Sequence, residues 1–99
     1  MAITVRRERG QRRIVIAIAG ALDASAVPTL RRVLARALRT RAAIMVDLTQ
    51  ATSIHQDGVA ALLAAHRQAH QNGRPLLLRA DPAQIRSLLG TFGIPEDPH

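Results

Sequence analysis

Two short apolar runs with little polar alternation set the frame for this chain: Ile14-Val15-Ile16-Ala17-Ile18-Ala19 and Ala43-Ile44-Met45-Val46-Asp47-Leu48. A strand with one wet face alternates apolar and polar residues, whereas a strand covered on both faces is nearly continuous in aliphatic and β-branched residues. Both runs therefore belong in the interior of a sheet, and the second, closing in Thr49 and Gln50, has the pattern of a central parallel strand. Ile3-Thr4-Val5 differs. It alternates, carries enough polar residues for an edge strand, and is joined to the first run by a charged, hairpin-like segment from Arg6 to Arg13 centred on Gly10.

Helical spacing fills the gaps between the strands. Gly20-Ala21-Leu22-Asp23 breaks the second strand, Asp23 or Ser25 is placed to cap a helix, and Pro28 is tolerated in its first turn. Val27, Leu30, Val33, Leu34, Ala37 and Leu38 then recur on one face, with Arg31, Arg32, Arg36 and Arg39 on the other. Such an arginine row is more often a solvated face than a binding surface. Val59 to His70 makes a second, alanine-rich helix that stops near Asn72-Gly73, and Leu76-Leu77-Leu78-Arg79 makes a further strand. Asp81-Pro82 starts a third helix carrying Ile85, Leu88 and Leu89, and Phe92 and Ile94 are packing residues in the segment after Gly90. The order predicts an α/β fold: a small mixed β-sheet of four to five strands with three to four helices packed on it and right-handed crossovers. One domain over residues 1–99 is expected, with 91–99 as a partly ordered tail.

Composition narrows the function classes. All 14 basic residues are arginine against seven acidic ones, a formal charge of +7 that raises nucleic acid or acidic lipid as partners. The charges are dispersed, however, and Phe92 is the only aromatic, so base stacking has no platform and nucleic-acid binding is disfavoured. With no cysteine there is no disulfide framework and no thiolate metal site, which suits a reducing compartment and makes the cytoplasm the expected location. The N-terminus turns charged before any long apolar run, and no stretch approaches the roughly 18 apolar residues of a membrane span, so neither signal peptide nor anchor is expected. His66 and His70 share the four-residue spacing of a metal pair but lack the metalloprotease glutamate and a third ligand, so no metal and no cofactor are expected. No serine sits in a nucleophile elbow and Gly20, Gly58, Gly73 and Gly90 are isolated, which leaves no phosphate loop and no catalytic residue to name.

Three features stand in order along nearly the whole chain: Gly20-Ala21-Leu22-Asp23, Val46-Asp47-Leu48-Thr49, and Ile54-His55-Gln56-Asp57-Gly58-Val59-Ala60-Ala61-Leu62. In these the sequence resembles the STAS family, named for sulfate transporters and anti-sigma factor antagonists. The resemblance implies a protein-binding module rather than an enzyme. In anti-sigma factor antagonists the loop before the second helix usually reads Asp-Ser-Ser/Thr-Gly, and its second hydroxyl is phosphorylated by a kinase that is itself the anti-sigma factor. Here Gly58 keeps the glycine, while His55 replaces the aspartate, Gln56 the first hydroxyl and Asp57 the phosphorylated one. A carboxylate cannot store a phosphate as a stable ester, so the usual switch is missing at its phosphosite equivalent, Asp57. At or near a helix N-terminus Asp57 either acts as a cap or partly imitates phosphoserine. Gly58 either lets the chain turn into the helix or lets a partner approach. Thr49, Thr52 and Ser53 are nearby hydroxyls whose ordinary role is to satisfy loop backbone groups.

The partner surface implied by the resemblance comprises Asp23, Ser25, His55, Gln56, Asp57, Gly58, Val59 and Ala61, with Ala60, Ala61, Ala64 or Ala65 as small residues beside it. Its leading partner is an anti-sigma factor or related kinase-like switch protein. The alternative is a STAS accessory subunit docking on the ATPase of a lipid-type ABC transport complex, where phosphorylation is unnecessary. Ligand sensing between sheet and helices ranks last, and a weak homodimer is compatible with either.

Overall fold

The computed structural model describes residues 2–8, 10, 12–74 and 76–80. Strands β1 (Ala2–Glu8), β2 (Arg13–Leu22), β3 (Ala43–Ile54) and β4 (Leu76–Arg79) form one sheet in the order β1-β2-β3-β4. β1 is antiparallel to β2, and the β2–β3 and β3–β4 pairs are parallel. The two apolar runs thus occupy the centre, as their composition requires, and alternating β1 takes an edge. Between the parallel strands run helices α1 (Val27–Leu38) and α2 (Gln56–Gln71).

Both helices share one core with the sheet. Ile14, Ile16 and Ile18 of β2, and Ile44, Val46 and Leu48 of β3, pack with Leu30, Leu34 and Leu38 of α1 and Val59 and Leu62 of α2. Each such aliphatic side chain taken from water contributes about 1.5–3 kcal/mol. Val15 and Met45, which alternation places on the other face of the sheet, are buried as well. The middle of the sheet is therefore dry on both faces, which explains why the two runs carry so little polar alternation.

The strands are longer than the apolar runs suggest. β2 continues through Gly20 to Leu22 instead of breaking there, β3 continues past Thr49 and Gln50 to Ile54, and α2 starts at Gln56 instead of Val59. Ala17 pairs with Asp47 but Ala19 with Gln50, and Gly20 pairs with Ala51 but Ala21 with Ser53, so β3 carries two extra residues opposite β2. Gly20 supplies the left-handed φ of +83° beside these bulges, a conformation only glycine adopts freely. Backbone pairing asks for no apolar side chain, so the polar stretch remains strand. Thr49 is not a loop residue: its backbone N–H and its hydroxyl both donate to Asp47 Oδ1, at 2.9 and 2.7 Å, at the first bulge.

α2 ends where expected. Gly73, at φ +73°, donates its N–H to the His70 carbonyl at 3.0 Å, and the Arg74 N–H reaches the Ala69 carbonyl at 2.9 Å, the paired bonds of a glycine-terminated helix. The described residues thus hold four strands and two α-helices, with a 3-10 turn (Ala24–Ala26) leading into α1, fewer helices than the three to four expected. The expected helix from Asp81 and the packing of Phe92 and Ile94 lie outside the described residues.

Candidate partner-binding site

β2 and β3 end side by side. Leu22 pairs with Ile54, and the His55 N–H donates to the Leu22 carbonyl at 2.7 Å, which brings Asp23 and His55 to adjacent positions at the carboxyl ends of two parallel strands. Crevices beyond the carboxyl ends of parallel strands are the usual place for recognition in α/β folds. Asp23 caps the 3-10 turn that leads into α1: its Oδ1 accepts from the Ser25 hydroxyl at 2.6 Å and from the Ala26 N–H at 3.2 Å. The Ser25 bond is the foremost cause holding the Asp23 carboxyl below its ordinary value of 3.8. Neither candidate caps α1 itself, whose N-cap position is Ala26 with no side-chain cap bond; Asp23 caps the turn before it and Ser25 supports Asp23. Pro28 lies in the first turn of α1, where its missing N–H is not needed.

At the start of α2 the cap is His55, not Asp57. The Asp57 N–H donates to His55 Nδ1 at 3.0 Å. That bond assigns the lone pair to Nδ1 and the proton to Nε2. In this tautomer the 3.8 Å approach of Nδ1 to Asp57 Oδ2 is a contact between two acceptors and not an ion pair. His55 thus performs with a ring nitrogen what an aspartate at the same place does with an oxygen. Asp57 follows in the first helical turn, where free N–H groups favour a carboxylate by about 0.3–1 kcal/mol. Its side chain is 60% exposed and makes no hydrogen bond among the described residues.

Gly58 has a different reason from either one read off the sequence. A Cβ there would lie 2.7 Å from Leu22 Cδ2 and 3.3 Å from Ile54 Cγ2, so the glycine makes room for the buried end of β2 against the first turn of α2. Leu22 is the participant that sequence reasoning missed. The one available signal was its place between Gly20 and Asp23.

Exposure separates the eight expected contact residues into two sets. Asp23, Ser25, Gln56 and Asp57 are exposed and His55 is partly so, whereas Gly58, Val59 at 1% and Ala61 at 6% are buried. Val59 and Ala61 face the core because α2 packs through them onto the sheet, so in this conformation they do not reach the surface. Of the small residues considered, Ala60 and Ala64 lie on the outer face and Ala61 and Ala65 on the inner one. Chemically the rim offers two carboxylates, a hydroxyl, an amide and an imidazole. Among the described residues no three His, Cys, Asp or Glu side chains are placed to hold a metal, and no helix is long and apolar enough to cross a membrane.

A mixed sheet with an antiparallel edge strand, two helices packed on it, and a helix N-terminus set against the end of the neighbouring strand is the architecture of a STAS-type domain. The chain belongs to the STAS family described as "Mlab, STAS domain", whose model matches residues 5–96. Among solved structures it is similar to an anti-sigma factor antagonist from Mycobacterium paratuberculosis, with a TM-score of 0.82 at 18% identity over 99% of this chain and 87% of that one. It is also similar to the anti-sigma factor antagonist SpoIIAA in its unphosphorylated form, with a TM-score of 0.77 at 20% identity over 99% and 89% of the two chains. A third likeness is to the Bacillus cell fate determinant SpoIIAA in its phosphorylated form, with a TM-score of 0.77 at 20% identity over 94% and 85%. At these identities the structural likenesses establish the fold. No curated protein matches the chain in sequence.

Proposed function

We propose that this protein is a cytoplasmic, non-enzymatic STAS regulator, one domain over residues 1–99, that binds an anti-sigma factor or related kinase-like switch protein through Asp23, Ser25, His55, Gln56 and Asp57. The observation that carries the reading is the solvent-facing Asp57 carboxylate, beside the His55 cap, at the position where the family's antagonists hold a phosphorylatable hydroxyl. The carboxylate brings one negative charge where phosphoserine brings about −1.5 to −2, so it imitates a phosphorylated residue only in part. Control by phosphate ester formation at this position is therefore absent. Incubation with the cognate kinase and ATP should leave residue 57 unmodified, and Asp57→Ser should make it a phosphate acceptor. Phosphate mapped to Asp57 in the natural sequence sinks this reading.

A second reading has a specific observation in its favour. A STAS accessory subunit docked on the ATPase of a lipid-type ABC transport complex has no use for a phosphorylatable residue, and Asp57 supplies none. Affinity capture from the native host separates the two: recovery of an anti-sigma kinase supports the first reading, and recovery of a transport ATPase supports the second.

A further inference from the structure

At the amino ends of β2 and β3, a strand's length from Asp23 and His55, the surface is hollowed to about 410 Å³ by Arg7, Glu8, Arg12, Arg13, Arg41 and their neighbours. Four guanidinium groups meet one carboxylate, and that carboxylate is engaged, since Arg13 donates through Nη2 and Nε to Glu8 Oε1 at 2.7 and 3.0 Å. Of the other described acids, Asp23 and Asp57 lie at the far end of the sheet and Asp47 accepts from Thr49. Arg7, Arg12 and Arg41 thus converge on a concavity with no described carboxylate paired to them.

Arg12 is held at φ +48°, a left-handed conformation that favours glycine or asparagine and that the other described non-glycine residues avoid. Arg12 stands in the turn that joins β1 to β2, and from there it lines the hollow. The nearby end of α1 would repel an anion if its carbonyls were bare. The last two are engaged: the Ala37 carbonyl accepts from the Thr40 N–H and hydroxyl, and the Leu38 carbonyl accepts from Arg74 Nη2 at 3.0 Å. Next to the arginine hollow, and sharing Arg7, Ile14 and Thr40 with it, lies a second hollow of about 230 Å³ that includes Val5, Val33 and Arg36. Val5 is 53% exposed, the one large exposed hydrophobic side chain among the described residues.

We infer that this end of the molecule binds a small phosphate-bearing amphiphile, its phosphate held by Arg7, Arg12 and Arg41 and its apolar part lying over Val5 and Val33. Arginine forks match phosphate oxygens two at a time, and a volume of this order suits a headgroup-sized ligand. The site is independent of the partner rim at the other end of the sheet.

Titration with inorganic phosphate, with monomeric dihexanoyl phosphatidic acid, and with phosphatidylglycerol vesicles tests the inference by calorimetry and by NMR of the arginine side-chain N–H groups. The short-chain lipid should bind at least tenfold more tightly than inorganic phosphate and move the Arg7, Arg12 and Arg41 resonances. Arg12→Gly, which also relieves the left-handed strain, and Arg41→Ala should each weaken binding at least tenfold without lowering the melting temperature. Arg32→Ala, on the outer face of α1, should leave it unchanged. Vesicle binding lost in the same two variants identifies the source as a membrane lipid, whereas binding of the monomer alone identifies a soluble organic phosphate. The inference is overturned if the short-chain lipid binds no more tightly than inorganic phosphate or not at all, or if Arg32→Ala weakens binding as much as Arg12→Gly.

Discussion

Gly58→Ala tests why a glycine opens the second helix. The new methyl carbon would stand 2.7 Å from Leu22 Cδ2 and 3.4 Å from Leu22 Cγ. Carbon atoms rest at roughly 3.5–4.0 Å, so Leu22 would have to retreat by about 1 Å. It has nowhere to go, being 0% exposed within the shared core. Overpacking of this kind costs about 1–3 kcal/mol. Replacing glycine by alanine in a helix returns up to about 1 kcal/mol. The net expectation is a loss of about 1 kcal/mol, or a fall in Tm of roughly 4–8 °C for a domain of this size. The chain has neither Trp nor Tyr, so urea and thermal unfolding are followed by far-ultraviolet circular dichroism. Leu22→Ala should by itself cost about 2–5 kcal/mol. In that background Gly58→Ala should become neutral or stabilising, because the methyl enters vacated space, giving a coupling of about 1–2 kcal/mol. Gly58→Ala with wild-type or higher stability, together with additive effects in the cycle, refutes the packing explanation and returns the glycine to partner approach.

Three further perturbations probe the elements that shape the site. Gly20→Ala forces a Cβ onto a φ of +83° and should cost about 1–2 kcal/mol, read as a lower urea midpoint at unchanged slope; an unshifted midpoint would show that the bulge relaxes freely. His55→Asp exchanges an imidazole cap for a carboxylate cap and should stabilise by about 0.5 kcal/mol, since the better acceptor is partly offset by repulsion from Asp57; a lower Tm would contradict the assignment of His55 as the cap. Ser25→Ala removes the leading cause of the lowered Asp23 pKa, so the carboxyl should titrate closer to 3.8 by NMR. Because the folded pKa lies below the unfolded one, the stability contributed by this group is present above 3.8 and fades as pH falls through the lower folded value. The stability gap between wild type and Ser25→Ala should therefore close in acid, and an unmoved titration would remove Ser25 as the cause.

Legibility differed between the fold and the site. Residues whose role follows from period or from covalent shape could be read directly: the dry runs Ile14–Ala19 and Ala43–Leu48, the inward face of α1, Pro28 in its first turn, and Gly73 past the end of α2. Each depends only on neighbours a few positions away. The opening of α2 did not yield in this way. One helical turn holds a charged candidate cap, an imidazole and a glycine, and local sequence could not say which of them touches the end of β2. Docking β2 against β3 decided it: Leu22 arrives beneath Gly58, its carbonyl takes the His55 N–H, and Asp57 is left in solvent. Val59 and Ala61 likewise turned inward because the strand partners fix the rotation of the helix about its axis. The chain by itself therefore determined where the strands and helices have their centres and which face α1 buries. Tertiary structure decided which side chains the site presents, because contact between residues 36 positions apart, as Leu22 and Gly58 are, is set by strand register and not by any local preference.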